Sequence, residues 1–204
     1  RTMYWDIKKC LSYSALFNFI IGNRGGGKTY GSKKYVIERF LKTGEQFIYL
    51  RRYKQEFKRK NEFFKAVCSE FPETKFEIKG NTIYINDETA GFFVPLSTSK
   101  IEKSTEYPNV TTVIFDEFII DKGTYHYLAD EVICFLEFYE TVARTRNNVK
   151  VFFLSNAITI SNPYFLYFNL SLPYQAKIKC KNDVLIELVA NKDFIDYKKN
   201  TRFG

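Results

Sequence analysis

The chain has 204 residues, 45% of them hydrophobic and 18% aromatic, with a formal charge of +8 and a pI near 9.2. That apolar content supports one sizeable core and a single domain over residues 1–204, and it excludes a disordered chain. Cys10, Cys68, Cys134 and Cys180 are scattered without a C-x-x-C pair, which suggests neither a zinc site nor a disulfide framework and predicts reduced core thiols, while no apolar run nears the roughly 20 residues of a membrane span.

The first element in chain order is a short apolar run, Leu16 to Ile21, of strand type. It leads into Gly22-Asn23-Arg24-Gly25-Gly26-Gly27-Lys28-Thr29, which fits Gly, any four residues, then Gly-Lys-Ser/Thr, the Walker A pattern. Glycines let the backbone wrap a phosphate chain so that successive N–H groups and the next helix N-terminus face the anion. Lys28 is expected to reach the β- and γ-phosphates and Thr29 to ligate Mg²⁺, with Tyr30 among the nucleotide contacts. A plain glycine-rich turn is the competing reading, but the flanks argue against it. Tyr30, Lys33/Lys34, Ile37 and Leu41 are spaced as one helical face and Val36 with Phe40 as a neighbouring stripe, ending at Thr43-Gly44.

A second strand is expected at "EQFIYL", followed by "RRYKQEFKRK". The basic excess is concentrated here: residues 1–100 hold 19 Lys/Arg against 10 Asp/Glu, the remainder 12 against 13. Arg51, Arg52, Tyr53 and Lys54 lie where an open α/β sheet keeps its working loops, and they interleave cations with an aromatic as a DNA-backbone contact would. A solvated helix face explains the same run equally well. Next, "KFEI" and "TIYI" flank a Gly-Asn turn and predict a hairpin; with a strand at "GFFVPL" they form a small β-rich excursion from the main sheet.

Thr111 to Phe115 is a β-branched, apolar strand ending in Asp116-Glu117, a Walker B pattern. Asp116 is expected to hold the Mg²⁺ shell beside Thr29, and Glu117 to polarise the water that attacks ATP. His126 is not needed as a base and is expected as a surface or packing residue. Neither Asp-x-x-Gly nor Asn-Lys-x-Asp is present at the positions a GTPase requires, and a kinase would avoid a water-activating carboxylate. Asp130 is a candidate N-cap for a helix with Val132, Phe135, Leu136 and Tyr139 on one face. Arg144 and Arg146 near its end suit the helix dipole, or serve as an arginine finger, Arg144 ahead of Arg146. The strand "VKVFFLSNA" ends in Ser155-Asn156, either a simple turn or polar groups that sense the γ-phosphate. Together these predict an α/β P-loop NTPase of the additional-strand catalytic-glutamate (ASCE) type, a mostly parallel sheet flanked by helices.

"GEQFIYLRRYK", "EKSTEYPNV", "VIFDEFI", "LSNA", "NPYFLYFNL" and "KNTRFG" occur in an order that resembles the DNA-packaging ATPases of phi29-like phages, a branch of the terminase and FtsK/HerA-like translocases. The resemblance covers nearly the whole chain and implies an ATP- and Mg²⁺-dependent motor driving double-stranded DNA into a prohead. It further implies a homopentameric ring at the portal vertex in the host cytoplasm, a structural packaging RNA, Arg144 as trans finger, Lys103 as a second trans-acting cation and Lys54 facing DNA. It also implies an N-terminal domain of a longer protein whose nuclease-like domain lies beyond this stretch. Two other classes stay open: a P-loop small-molecule kinase, and a nucleotide-gated assembly module with little turnover.

Overall fold

The computed structural model describes residues 5–25, 27–101, 105–173 and 178–189. Its strands are β1 (Phe17–Gly22), β2 (Gln46–Arg51), β3 (Phe76–Lys79), β4 (Thr82–Ile85), β5 (Glu88–Pro95), β6 (Val110–Asp116), β7 (Lys150–Ser155), β8 (Ile178–Lys181) and β9 (Val184–Val189). The helices are α1 (Ile7–Leu11), α2 (Lys28–Thr43), α3 (Glu131–Ala143) and α4 (Pro163–Phe168). The strands form one sheet in the order β3-β4-β5-β2-β6-β7-β1-β9-β8. From β5 to β9 neighbours are parallel, and antiparallel strands close both edges.

Central strands buried on both faces divide their side chains by the two-residue period of the pleat. Ile20, Phe47, Tyr49, Ile114, Phe152 and Leu154 pack in one cluster with Val36, Ile37 and Phe40 of α2. Phe19, Ile21, Ile48, Leu50, Val113, Phe115 and Phe153 pack in the other, with Phe135 and Phe138 of α3 and Phe165 of α4. α2 stops where expected: Gly44 takes φ 78° and donates to the Phe40 carbonyl at 2.8 Å.

Four expectations need correction. The hairpin and "GFFVPL" are no excursion, because β5 runs parallel to β2 as an inner strand of the one sheet. Gly91 allows this close approach: a Cβ there would lie 2.8 Å from the Phe47 carbonyl oxygen. Asp130 occupies the N-cap position of α3 at φ 50° without a side-chain cap bond, and Glu131 instead accepts the Leu128 N–H at 3.1 Å. Cys10 and Cys134 are buried thiols, but Cys68 and Cys180 are exposed. Finally, β8 and β9 were not anticipated. They are joined at Asn182-Asp183, both with positive φ, as β4 and β5 are at Asn86-Asp87. Asn and Asp tolerate the left-handed conformation that such two-residue hairpin turns demand. Among the described residues no helix is long and apolar enough to cross a membrane.

Candidate functional site

The carboxyl ends of β1, β2, β6 and β7 meet at one edge of the sheet, the edge at which open α/β sheets bind ligands. Gly22 ends β1 opposite Val189, and a Cβ there would fall 1.5 Å from the Val189 carbonyl oxygen. The first glycine of the loop is therefore dictated by β9 as well as by any ligand. Gly25 and Gly27 have φ of 81° and 80°, and Gly27 caps α2. Gly26 lies outside the described residues. Arg24 is exposed, and the Asn23 side-chain oxygen is buried without a partner.

Lys28 folds back into the loop. Its Nζ donates to the Gly22 and Asn23 carbonyl oxygens at 3.1 and 3.0 Å, and burial lowers its pKa to about 8. Two carbonyls solvate this ammonium without cancelling its charge, so the cradle fits an anion such as a phosphate chain. An anion there would favour the protonated form and lift its pKa. Nucleotide affinity is accordingly expected to be flat below about pH 7.5 and to fall up to tenfold per pH unit above about 8, with proton uptake on binding. Calorimetry at pH 8.5 in buffers of different ionisation enthalpy measures that uptake directly.

Beside the loop, the Thr29 hydroxyl lies 3.2 Å from Asp116 Oδ2. Asp116 also accepts the Glu117 backbone N–H at 3.0 Å and the Tyr49 hydroxyl at 2.8 Å. A hydroxyl and a carboxylate are hard oxygen donors of the kind Mg²⁺ takes alongside nucleotide phosphates. Glu117 has φ 54°, a left-handed conformation costing a glutamate about 1–2 kcal/mol, and the next N–H, of Phe118, bonds the Leu154 carbonyl of β7. Its carboxylate, more than half exposed, pairs with Arg51 Nη2 at 2.5 Å, and the same nitrogen meets Glu56 at 2.5 Å. Buried Ser155 closes a local turn with Ala157, its Oγ donating to the Ala157 carbonyl and accepting the Ala157 N–H. Asn156 is exposed just beyond. A groove of about 920 Å³ continues from Gly25 and Gly27 past Tyr30, Gly31 and Lys34 to Trp5 and Asp6. The Tyr30 hydroxyl is bonded to Glu70.

Three candidate residues leave their expected roles. Arg52 is withdrawn from the DNA-contact face: it is 2% exposed, bonded through two nitrogens to Glu131 and to the Phe118 carbonyl. Arg51 is committed to Glu56 and Glu117, which leaves Tyr53 and Lys54 of the original set, and the Tyr53 hydroxyl bonds the His126 carbonyl while its ring stacks on Tyr125. Exposed Lys54, Lys58 and Arg59 carry the basic surface, and His126 is exposed, the surface alternative of the two. Arg146 is no finger, because its guanidinium donates to the carbonyls of Val110, Tyr107 and Val142 at 2.6–2.8 Å. Lys103 lies outside the described residues.

Arg144 stands at the end of α3, 56% exposed and 3.9 Å from Glu106. Arg146, two residues on, holds the first residue of β6, so this is the edge opposite the loop, about 20 Å away along a seven-residue strand. Arg144 therefore cannot serve its own loop. Arg146→Ala is expected to cost about 1–3 kcal/mol by removing three hydrogen bonds to backbone carbonyls, whereas Arg144→Ala should change stability by less than about 0.5 kcal/mol. Urea unfolding of the two variants compares them.

The fold is the mixed α/β sheet seen in phage packaging and terminase ATPase domains. The large terminase ATPase domain of Thermus phage P74-26 shares it at 14% identity, with a TM-score of 0.55 over 91% of this chain and 80% of that one. The chain belongs to the family described as Podovirus DNA encapsidation protein (Gp16), whose model matches residues 1–204. It is 44% identical over 204 residues to the DNA packaging proteins of Bacillus phages PZA and phi29, covering all of this chain and 61% of theirs. The chain thus spans about three fifths of the length of these relatives. The N-terminal domain of the DNA packaging ATPase from bacteriophage phi29 matches with a TM-score of 0.87 at 44% identity, over 94% of this chain and 98% of that domain.

Proposed function

We propose that the chain is an ASCE-type ATPase, the ATP-hydrolysing part of a viral motor that moves double-stranded DNA into a prohead. The observation that carries this is the convergence of Lys28, Thr29, Asp116 and Glu117 at one sheet edge, with Arg51 joining Glu117 to the basic segment. Its relatives are DNA packaging proteins, and one matching structure is the phi29 genome packaging motor assembly, at 43% identity and a TM-score of 0.85 over 98% of this chain and 61% of that one.

The residues divide the work. The loop N–H groups and Lys28 bind the phosphates, and the groove past Tyr30 and Trp5 takes the base. Thr29 and Asp116 would hold Mg²⁺, which when bound offsets charge developing on the transferred phosphoryl group. Glu117 accepts a proton from the attacking water once it is released from Arg51, since a carboxylate paired at 2.5 Å is a poor base. Ser155 and Asn156, one strand away, respond to the loss of the γ-phosphate. Arg144 completes the site of a neighbouring copy, so the working form is a homo-oligomeric ring, pentameric in the full motor. Lys103 is a second trans-acting candidate. Portal, packaging RNA and action at the prohead in the host cytoplasm follow from the same family reading.

DNA contact at Lys54, Lys58 and Arg59 is placed to disturb Arg51, because Arg51 is held by Glu56 in that same segment. ATP hydrolysis with and without double-stranded DNA tests the proposal: stimulation by DNA in the wild type that is lost in Arg51→Ala supports it. Phosphoryl transfer to a small acceptor without DNA response would instead support a kinase.

A further inference from the structure

The pleat of β2 places Tyr49 and Arg51, two residues apart, on the face that carries α2, and each grips one of the two adjacent acids at the end of β6. Arg51 takes Glu117, and Tyr49 takes Asp116. Of the donors to Asp116, the Glu117 N–H fixes Oδ1 alone, and the Thr29 hydroxyl is the group a metal ion would engage. The Tyr49 hydroxyl, 2.8 Å from Oδ2, is the donor that fixes the plane of the carboxylate.

That hydroxyl is itself held in place. The Tyr49 ring packs edge-on against Phe63, Phe93 and Phe57 at centroid distances of 5.0, 6.0 and 6.4 Å, and the residue is 8% exposed. Hydrogen bonds behind a metal ligand set its orientation, and their loss typically costs 10- to 100-fold in metal affinity.

We propose that Tyr49 is a positioning residue for the metal, its hydroxyl holding the Asp116 carboxylate in the orientation that receives Mg²⁺ beside Thr29. The proposal rests on the nucleotide site described above. Tyr49→Phe removes one oxygen and leaves the ring packing in place. The probes are Mn²⁺, followed by electron paramagnetic resonance on protein loaded with a non-hydrolysable ATP analogue, and the affinity for that analogue in EDTA. Tyr49→Phe is expected to weaken Mn²⁺ binding roughly 10-fold while leaving metal-free analogue affinity unchanged. In an Asp116→Asn background the same change is expected to have no further effect on metal. Mn²⁺ affinity within twofold of wild type, equal weakening in EDTA, or full additivity with Asp116→Asn would each overturn the proposal. A wild-type chain that binds the analogue with no metal-dependent step would fail differently, removing the metal site itself.

Discussion

Glu117→Gln is expected to lower ATP turnover by roughly 10²- to 10⁴-fold while nucleotide affinity stays close to wild type. The substitution keeps size and the backbone N–H that braces Asp116, and it removes only the basic oxygen. Because the side chain is more than half exposed, its loss should barely affect folding. Asp116→Asn is the informative contrast: there the metal increment to nucleotide binding should disappear. A fluorescent ATP analogue measures affinity and phosphate release measures turnover. Undiminished turnover in Glu117→Gln would assign the base elsewhere, whereas negligible turnover in the wild type itself would return the gated assembly module to consideration.

The largest effect on stability is expected at the pair Arg52–Glu131. Both side chains are almost completely excluded from water, 2% and 0% exposed, and each neutralises the other. Removing one partner strands a buried charge at a cost of about 3–5 kcal/mol, so Arg52→Ala and Glu131→Ala should both unfold at much lower urea concentration. Replacing both by Met and Leu is expected to recover most of that loss, because an apolar pair leaves no uncompensated ion. Arg52 also holds the Phe118 carbonyl, next to the strained Glu117. The apolar double variant should therefore regain stability without regaining full turnover, which urea unfolding and phosphate release together would establish.

Much of the site was legible because its chemistry is local. Residues 22–29 sit on one turn between a strand and a helix, and Asp116-Glu117 end a strand of unmistakable apolar character. What escaped was anything fixed by a distant strand. Arg51 and Arg52 look alike in sequence, yet the pleat sends one to Glu117 and the other to Glu131 on the opposite face. β2 extends through Arg51, and continuing its alternation into the basic run would have separated the two. Arg144 and Arg146 were equally indistinct until the carbonyls of Val110 and Tyr107 claimed the second. The place of β5 in the sheet has no local mark, because its parallel partner lies 44 residues away, whereas the Asn-Asp turns at 86–87 and 182–183 do mark their hairpins.

A hydrolysis site shared between copies of this chain is tested by ATP turnover in mixtures of Glu117→Gln with Arg144→Ala across a protein-concentration series. Each variant alone should be inactive. A mixture pairs the intact Glu117 of one copy with the intact Arg144 of another, so partial activity that rises with concentration is the predicted result. Mixtures no more active than the separate variants, together with a wild-type specific activity independent of concentration, would contradict it.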